Sequence, residues 1–381
     1  MLATLTSVAA LYFFFLLVIR KGWKSALQTR DVLPSAERPS VTVVIAARNE
    51  ASNIANVLSD LEHQSIRDFE VVVVDDHSDD DTAAIARKFS ENSKYALEVV
   101  PVGSAGGKKA AVTTGVLRAR GSVIITTDAD CRVGSRWIES MVAGFQPHVN
   151  FVSGAVRIGP AETFRAQLQA AEFASLVGVG ASTIGLGQPI LCNGANMAFR
   201  RDVFLEVGGY SGNEHIASGD DVFLLQRIHE RSAESVVFCP HPDAVVETPA
   251  VPWRQFVNQR IRWGAKWKHA ASFATPALAL FIGCFHLAWL VLVPVLIAAG
   301  TVAEPVILLL TKAVLEMLYL RQVHRFTGVK WSWQIFFLLQ IIYSAYVVVV
   351  GGLANFKRPE WKGRKIRPAA VEMRSRLADN R

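Results

Sequence analysis

Phe69-Glu-Val-Val-Val-Val-Asp75-Asp76 is a run of four valines closed by two carboxylates. β-Branched residues at every position suit a strand buried on both faces, as in a parallel sheet covered by helices. Two more runs repeat the design: Val41-Thr-Val-Val-Ile-Ala46, and Ser122-Val-Ile-Ile-Thr-Thr127, which ends at Asp128. Between them, residues 50–63 carry Ile54, Val57, Leu58 and Leu61 at helical spacing. Residues 80–89 and 108–118 predict two more helices, and 97–100 a short strand. The alternation predicts an α/β fold, a doubly wound, mostly parallel sheet. Ligands of such sheets gather at the carboxyl ends of the strands, and Asp75, Asp76, Asp128 and Asp130 all fall there.

Downstream the pattern loosens. A strand is expected over 149–158 and a helix rich in small residues over 161–181. A strand over 191–200 is followed by a helix over 202–207, and another helix runs from 221 to 231. The proline-broken stretch 240–252 reads as extended. Residues 253–269 predict a basic amphipathic helix with Trp253, Trp263 and Trp267, suited to a membrane interface.

The 381 residues are 51% hydrophobic, and the mean hydropathy of +0.27 is high for a soluble enzyme. The excess sits in blocks. Residues 2–19, 273–303 and 331–356 contain no Asp, Glu, Lys or Arg, and about 20 apolar residues cross a bilayer. A fourth block, 305–320, carries Lys312 and Glu316. The first block is long for a signal peptide, lacks a preceding basic residue and has no small-residue cleavage site after it, so a retained span is expected. Arg20, Lys21 and Lys24 follow it, and basic residues mark the cytoplasmic flank. This predicts a cell-membrane protein with its main domain cytoplasmic; Arg260, Arg262, Lys266 and Lys268 before the second block agree. The expected organisation is a span over 1–20, a linker over 21–40, an α/β domain over 41–250 and the interface helix over 251–272. Two or three spans follow over 273–356, then a basic tail over 357–381. Three spans and four spans each leave one basic cluster on the outer side.

The net charge of +7 comes largely from the membrane-flanking clusters and predicts contact with anionic lipid rather than nucleic acid. Cys131, Cys192, Cys239 and Cys284 are scattered, which predicts neither a disulfide framework nor a zinc site.

Several stations carry candidate chemistry. Asp75 and Asp76 suit either a helix-capping turn or an acceptor for the imide N–H of a uracil base. Asp128 and Asp130, flanking Ala129, suit hard-oxygen ligation of Mg²⁺ or Mn²⁺ beside a diphosphate. Lys108, after Gly106-Gly107, is either solvated or within reach of a phosphate. Asp220 and Asp221 open a helix and can cap it; a second carboxylate there also suits a general base for a hydroxyl nucleophile. Gln259, Arg262 and Trp263 lie on the basic helix. Arg262 is either a snorkelling surface arginine or the charge that neutralises a departing diphosphate.

Taken together, the motifs resemble those of membrane-bound inverting glycosyltransferases of family 2, with the GT-A fold. They are V-I-A-A-R-N-E (Val44 to Glu50), V-V-D-D-H-S (Val73 to Ser78), G-K-x-x-A-x-x-x-G (Gly107 to Gly115), T-T-D-A-D (Thr126 to Asp130), N-G-A-N-M-A-F-R-R (Asn193 to Arg201), G-D-D (Gly219 to Asp221) and Q-x-x-R-W (Gln259 to Trp263). The resemblance covers roughly residues 41–263 and the flanking spans. It implies that Asp76 meets the nucleoside, with Asp75, Arg48, Glu50 and Lys108 on the donor side. Asp128 and Asp130 would serve diphosphate and metal, Asp221 would be the base, and Gln259, Arg262 and Trp263 would close over the substrates. Asp220 stands where the family more often has Glu, and Thr113 where it commonly has Asn. Q-x-x-R-W is shared by ceramide glucosyltransferases and by processive polysaccharide synthases. The resemblance implies a UDP-sugar donor, and since a polymer pore needs many helices, three or four spans favour a membrane-lipid acceptor. The alternatives are a processive synthase and a non-catalytic nucleotide-sugar-binding scaffold.

Overall fold

The computed structural model describes residues 1–28, 38–103, 106–212, 219–265 and 273–356, with backbone alone at 360–361 and 364–365. Ser218, Lys266, Trp267 and Lys268, and the side chains of the basic tail, lie outside the described residues. The first half alternates as expected: α1 (Leu2–Ala26), β1 (Val41–Ala47), α2 (Ile54–Leu61), β2 (Glu70–Asp75), α3 (Thr82–Ser90), β3 (Ala96–Pro101), α4 (Lys108–Arg118), β4 (Val123–Asp128) and α5 (Trp137–Val142). Then come β5 (Phe151–Ser153), β6 (Val156–Ile158), α6 (Phe164–Gly185), β7 (Met197–Arg200), α7 (Arg201–Glu206), α8 (Asp220–Arg231), β8 (Val236–Phe238) and β9 (Val246–Thr248). Four helices follow, α9 (Trp253–Gly264), α10 (Ala274–Ala298), α11 (Ala303–Thr327) and α12 (Trp333–Phe356), and then two short paired strands, β10 (Glu360–Trp361) and β11 (Arg364–Lys365).

The main sheet has seven strands in the order β3-β2-β1-β4-β7-β5-β8. β1 pairs in parallel with β2 and β4, with Ala47 opposite Asp75 and Ala46 opposite Asp128. That register aligns three strand ends, so Asp76 and Asp128 emerge along one edge. β7 departs from the parallel pattern: it runs antiparallel to both β4 and β5. One apolar layer, with Ile45, Val73 and Ile125, packs under α2 and Trp137. The other face packs Val44 and Ile124 with α6, α8 and the end of α1.

Three expectations change. The strand over 149–158 splits into β5 in the main sheet and β6, which pairs with β9 in a second sheet. The break falls at Gly154, where a Cβ would collide with the Asn196 side chain. The strand over 191–200 shortens to β7, because Asn193–Asn196 form a turn closed by the Asn196 N–H on Asn193 O at 3.0 Å. The helix expected over 1–20 continues to Ala26, since Trp23 is buried edge-on against Tyr319 and Phe326 of α11. The small residues of α6 serve helix packing: Gly178 lies against Tyr319 and Gly185 against Gly22 of α1.

Among the described residues, α1, α10 and α12 are long and apolar enough to cross a membrane. α11 carries charge, and protein contacts satisfy it. Lys312 Nζ donates to Glu316 Oε2 at 2.9 Å and Gln340 Oε1 at 2.8 Å, and Tyr12 Oη donates to Glu316 Oε1 at 2.7 Å. Charges among apolar helices survive in this way, paired and facing protein.

Candidate active site

A cavity of about 1280 Å³ opens along the carboxyl edge of the sheet. Arg48, Glu50, Asp76, Lys108, Asp128, Asp130, Asp220, Asp221, Gln259, Arg262 and Trp263 all line it. The distant stations of the sequence therefore meet in one place. Asp75 does not line it; its Oδ2 accepts the Ser78 N–H at 3.4 Å, the turn-stabilising role.

Asp76 is buried, and both of its carboxylate oxygens accept from the Gly107 N–H at 2.9 Å. This ties the end of β2 to the start of α4. Arg48 donates to Asp76 O at 2.8 Å, which fixes the backbone around the carboxylate. Glu50 braces the turn between β1 and α2, accepting from Asn53 Nδ2 at 2.7 Å.

Lys108 bridges two stations. Its Nζ lies 2.5 Å from Asp128 Oδ1 and 3.6 Å from Asp220 Oδ2. Burial opposes its charge, but Asp128, then Asp220 and Asp221, outweigh burial and hold the ammonium above the usual lysine pKa. Asp220 and Asp221 form the first turn of α8, where the helix dipole favours anions. Gly219 before them has φ 88°, a left-handed turn that a side chain would strain. Asp221 Oδ1 accepts the Val222 N–H at 2.8 Å. Asp220 is buried, and its Oδ2 accepts no hydrogen bond.

Arg262 lines the same cavity and feels these carboxylates. Burial lowers its pKa from the usual arginine value, Asp220, Asp221 and Asp128 offset part of that shift, and Arg260 adds to it. Trp263 packs on Phe173 with ring centroids 5.7 Å apart. The expected interface helix thus turns its Q-x-x-R-W face into the cavity, while Trp253 stays exposed.

The residues fit a divalent cation. Donor atoms of Asp128, Asp130 and Cys131 lie within 4.8 Å of one another. The two carboxylates are hard oxygen ligands suited to Mg²⁺ or Mn²⁺. Cys131 fits poorly, because its sulfur is a soft donor while Mg²⁺ and Mn²⁺ favour oxygen; in the metal-free site burial first, then Asp128 and Asp130, push its thiol above the ordinary cysteine value. Asp220 is not among these grouped donors; its Oδ2 lies 3.6 Å from Lys108 Nζ instead.

Residues 42–208 match the model of Glycosyl transferase family 2. This segment is a glycosyl transferase family 2 domain. Poly-beta-1,6-N-acetyl-D-glucosamine synthase of Staphylococcus aureus is 26% identical to the chain over 263 residues, 67% of this chain. The match spans 60% of that synthase's length. Glycosyltransferase AglE of Haloferax volcanii is 29% identical over 230 residues, 59% of this chain and 72% of the relative. Among solved structures, the mannosyltransferase PcManGT from Pyrobaculum calidifontis, in complex with GDP-Man and Mn2+, covers 93% of this chain and 96% of its own. It aligns with a TM-score of 0.60 at 22% identity, a likeness of fold. The family 2 domain has the GT-A architecture, a mostly parallel sheet whose strand ends carry the acidic stations.

Three features around the family 2 domain escaped sequence reasoning. Asn196 is fully buried, donating to Ala155 O and Ala244 O, both at 2.7 Å, and accepting from Trp137 Nε1 at 2.9 Å. Arg260 and Glu172 form a buried ion pair at 2.6 Å. The cavity also reaches Tyr12, His286, Lys312, Glu316 and Gln340 among the C-terminal helices and α1. Charges within the apolar block 305–320 were the available signal for the last.

Proposed function

We propose that the protein transfers a sugar from a UDP-sugar to a hydroxyl of a membrane lipid, with inversion, at the cytoplasmic membrane face. The observation that carries this reading is the continuity of the cavity. One end is lined by Asp128, Asp130 and Asp221, and the other by Tyr12, Leu278, Ile282 and Tyr343 of the apolar helices. Its roughly 1280 Å³ exceeds the ~300–1,000 Å³ of a typical small-molecule site, leaving room for an acceptor beside a nucleotide sugar. The basic flank Arg20, Lys21 and Lys24 supports the cytoplasmic side.

In this reading Asp76 meets the nucleoside at the end of β2. Asp128 and Asp130 would hold Mg²⁺ or Mn²⁺, which when bound neutralises diphosphate charge. Asp221, at the mouth of α8, takes the proton of the acceptor hydroxyl. The acceptor oxygen bonds to the anomeric carbon as the bond to the diphosphate breaks on the opposite face, so the configuration inverts. Lys108 and Arg262 supply fixed positive charge toward the departing diphosphate. Trp263, braced by Phe173, forms an apolar wall beside the sugar.

A second reading is a processive polysaccharide synthase. It draws support from the name of the Staphylococcus aureus relatives and from the polar Tyr12, Lys312, Glu316 and Gln340 lining the membrane end of the cavity, where hydroxyl-rich chains would find partners.

The test is nucleotide release by the detergent-purified chain with Mn²⁺ or Mg²⁺, across UDP-glucose, UDP-galactose, UDP-N-acetylglucosamine, UDP-glucuronate and GDP-mannose, with and without extracted lipid. Lipid-dependent release yielding one glycolipid supports the proposal. Lipid-independent release with a high-mass saccharide supports the synthase. Nucleotide binding without turnover across the panel refutes both.

A further inference from the structure

Arg260 sits between Gln259 and Arg262, yet its guanidinium pairs with Glu172 and not with the donor carboxylates. It is 4% exposed. Its Nε donates to Glu172 Oε1 at 3.0 Å and its Nη2 to Glu172 Oε2 at 2.6 Å. Its Nη1 donates to Gln259 Oε1 at 2.7 Å. The guanidinium also lies over three aromatic rings, 4.3 Å from Trp263, 4.5 Å from Phe256 and 5.5 Å from Phe173. One planar cation therefore touches two of the signature side chains, Gln259 by hydrogen bond and Trp263 by stacking.

Glu172 belongs to α6, which packs against α1 and α11. Its Oε1 also accepts from Tyr346 Oη of α12 at 2.9 Å. The carboxylate thus joins three helices: the family 2 domain's α6, the Q-x-x-R-W helix α9 and the membrane-type helix α12. A buried pair of this kind is a poor source of net stability, but breaking it leaves an uncompensated buried charge, so its geometry is strongly held. A lysine keeps the charge but lacks the fork that bonds Glu172 and Gln259 together.

We propose that Glu172 and Arg260 are positioning residues that set Gln259 and Trp263 at the cavity wall and bring Arg262 toward the donor, with Tyr346 tying this setting to α12. Neutralisation of Arg260 by Glu172 leaves Arg262 as the α9 cation facing Asp220 and Asp221. The inference rests on the proposed transfer for its kinetic arm only.

Its test has a structural arm that does not depend on turnover. The full chain is labelled with 5-fluorotryptophan, and the Trp263 resonance is assigned with Trp263→Phe. Arg260→Lys should move or broaden the Trp263 resonance, while exposed Arg254→Lys on the same helix should not. In the kinetic arm, Arg260→Lys should lower kcat about 10- to 100-fold, in line with ångström-scale misplacement. UDP binding should stay within about threefold of wild type, since the fork does not touch the donor carboxylates. Should Arg260→Lys fail to fold, Tyr346→Phe carries the test: it removes one hydroxyl, keeps the ion pair, and should shift the Trp263 resonance and lower kcat by a smaller factor. An unmoved Trp263 resonance in folded Arg260→Lys or Tyr346→Phe overturns the proposal. So does a loss of kcat that only follows the loss of folded protein. A wild-type chain that turns over no donor refutes the transferase reading and leaves the fluorine arm to decide the positioning claim.

Discussion

Gly185 at the end of α6 touches the backbone of α1, so a single methyl there should part the two helices. A Cβ at Gly185 would lie 2.6 Å from Ala26 N and 3.0 Å from Ala26 Cβ, and closer still to Gly22 O. Two of these three atoms are backbone and cannot rotate away. Ordinary contact starts near 3.4 Å, so Gly185→Ala requires roughly 0.8 Å or more of separation. The backbone at Gly185 is helical, so alanine meets no dihedral strain and the cost is packing alone. Overpacking of this kind costs about 1–3 kcal/mol. Glu172 lies 13 residues earlier on α6, about 20 Å away along the axis, so the shift reaches the cavity damped, and nucleotide release should fall less than about tenfold. The assay is thermal unfolding in detergent together with nucleotide release. Gly283→Ala on α10 is the control, because a Cβ there meets nothing within 4 Å. A Gly185→Ala protein that unfolds at the same temperature as wild type and Gly283→Ala would refute the backbone-contact account of α1 and α6.

Asn196→Ala should cost about 3 kcal/mol or more, because Ala155 O, Ala244 O and Trp137 Nε1 all lose their partner inside the fold; denaturant unfolding measures it, and a change under 1 kcal/mol contradicts the pinning role. Lys108→Met should lower metal-free stability by about 2 kcal/mol, since it strips the charged partner from Asp128. Mn²⁺ should then raise the unfolding midpoint of Lys108→Met more than that of wild type, and equal shifts would argue against a cation site at Asp128 and Asp130.

The parallel half of the fold was legible because burial on both faces leaves an unbroken β-branched run, and each run stopped at a charge. The register of β1 with β2 and β4 then carries Asp76 and Asp128 to one edge. The second half was harder. β5 and β6 form one apolar run in sequence, and only the buried Asn196 amide against Gly154 reveals where the chain changes sheets. The site residues were legible as types at fixed spacings, but spacing cannot tell which way a side chain turns. Asp75 and Asp76 read alike, yet only Asp76 faces the cavity. Arg260 and Arg262 also read alike, and the partner that separates them, Glu172, lies 88 residues away. α11 read as a weak span because Lys312 and Glu316 are costly in lipid; in the fold they bond each other and Gln340.

The central claim assigns the acceptor proton to Asp221, and the direct measurement compares Asp221→Asn with wild type in lipid-dependent UDP release and in UDP binding. The account predicts release lowered by about 10²–10⁴-fold with UDP binding within a few-fold of wild type. Release by Asp221→Asn at more than a tenth of the wild-type rate would contradict it.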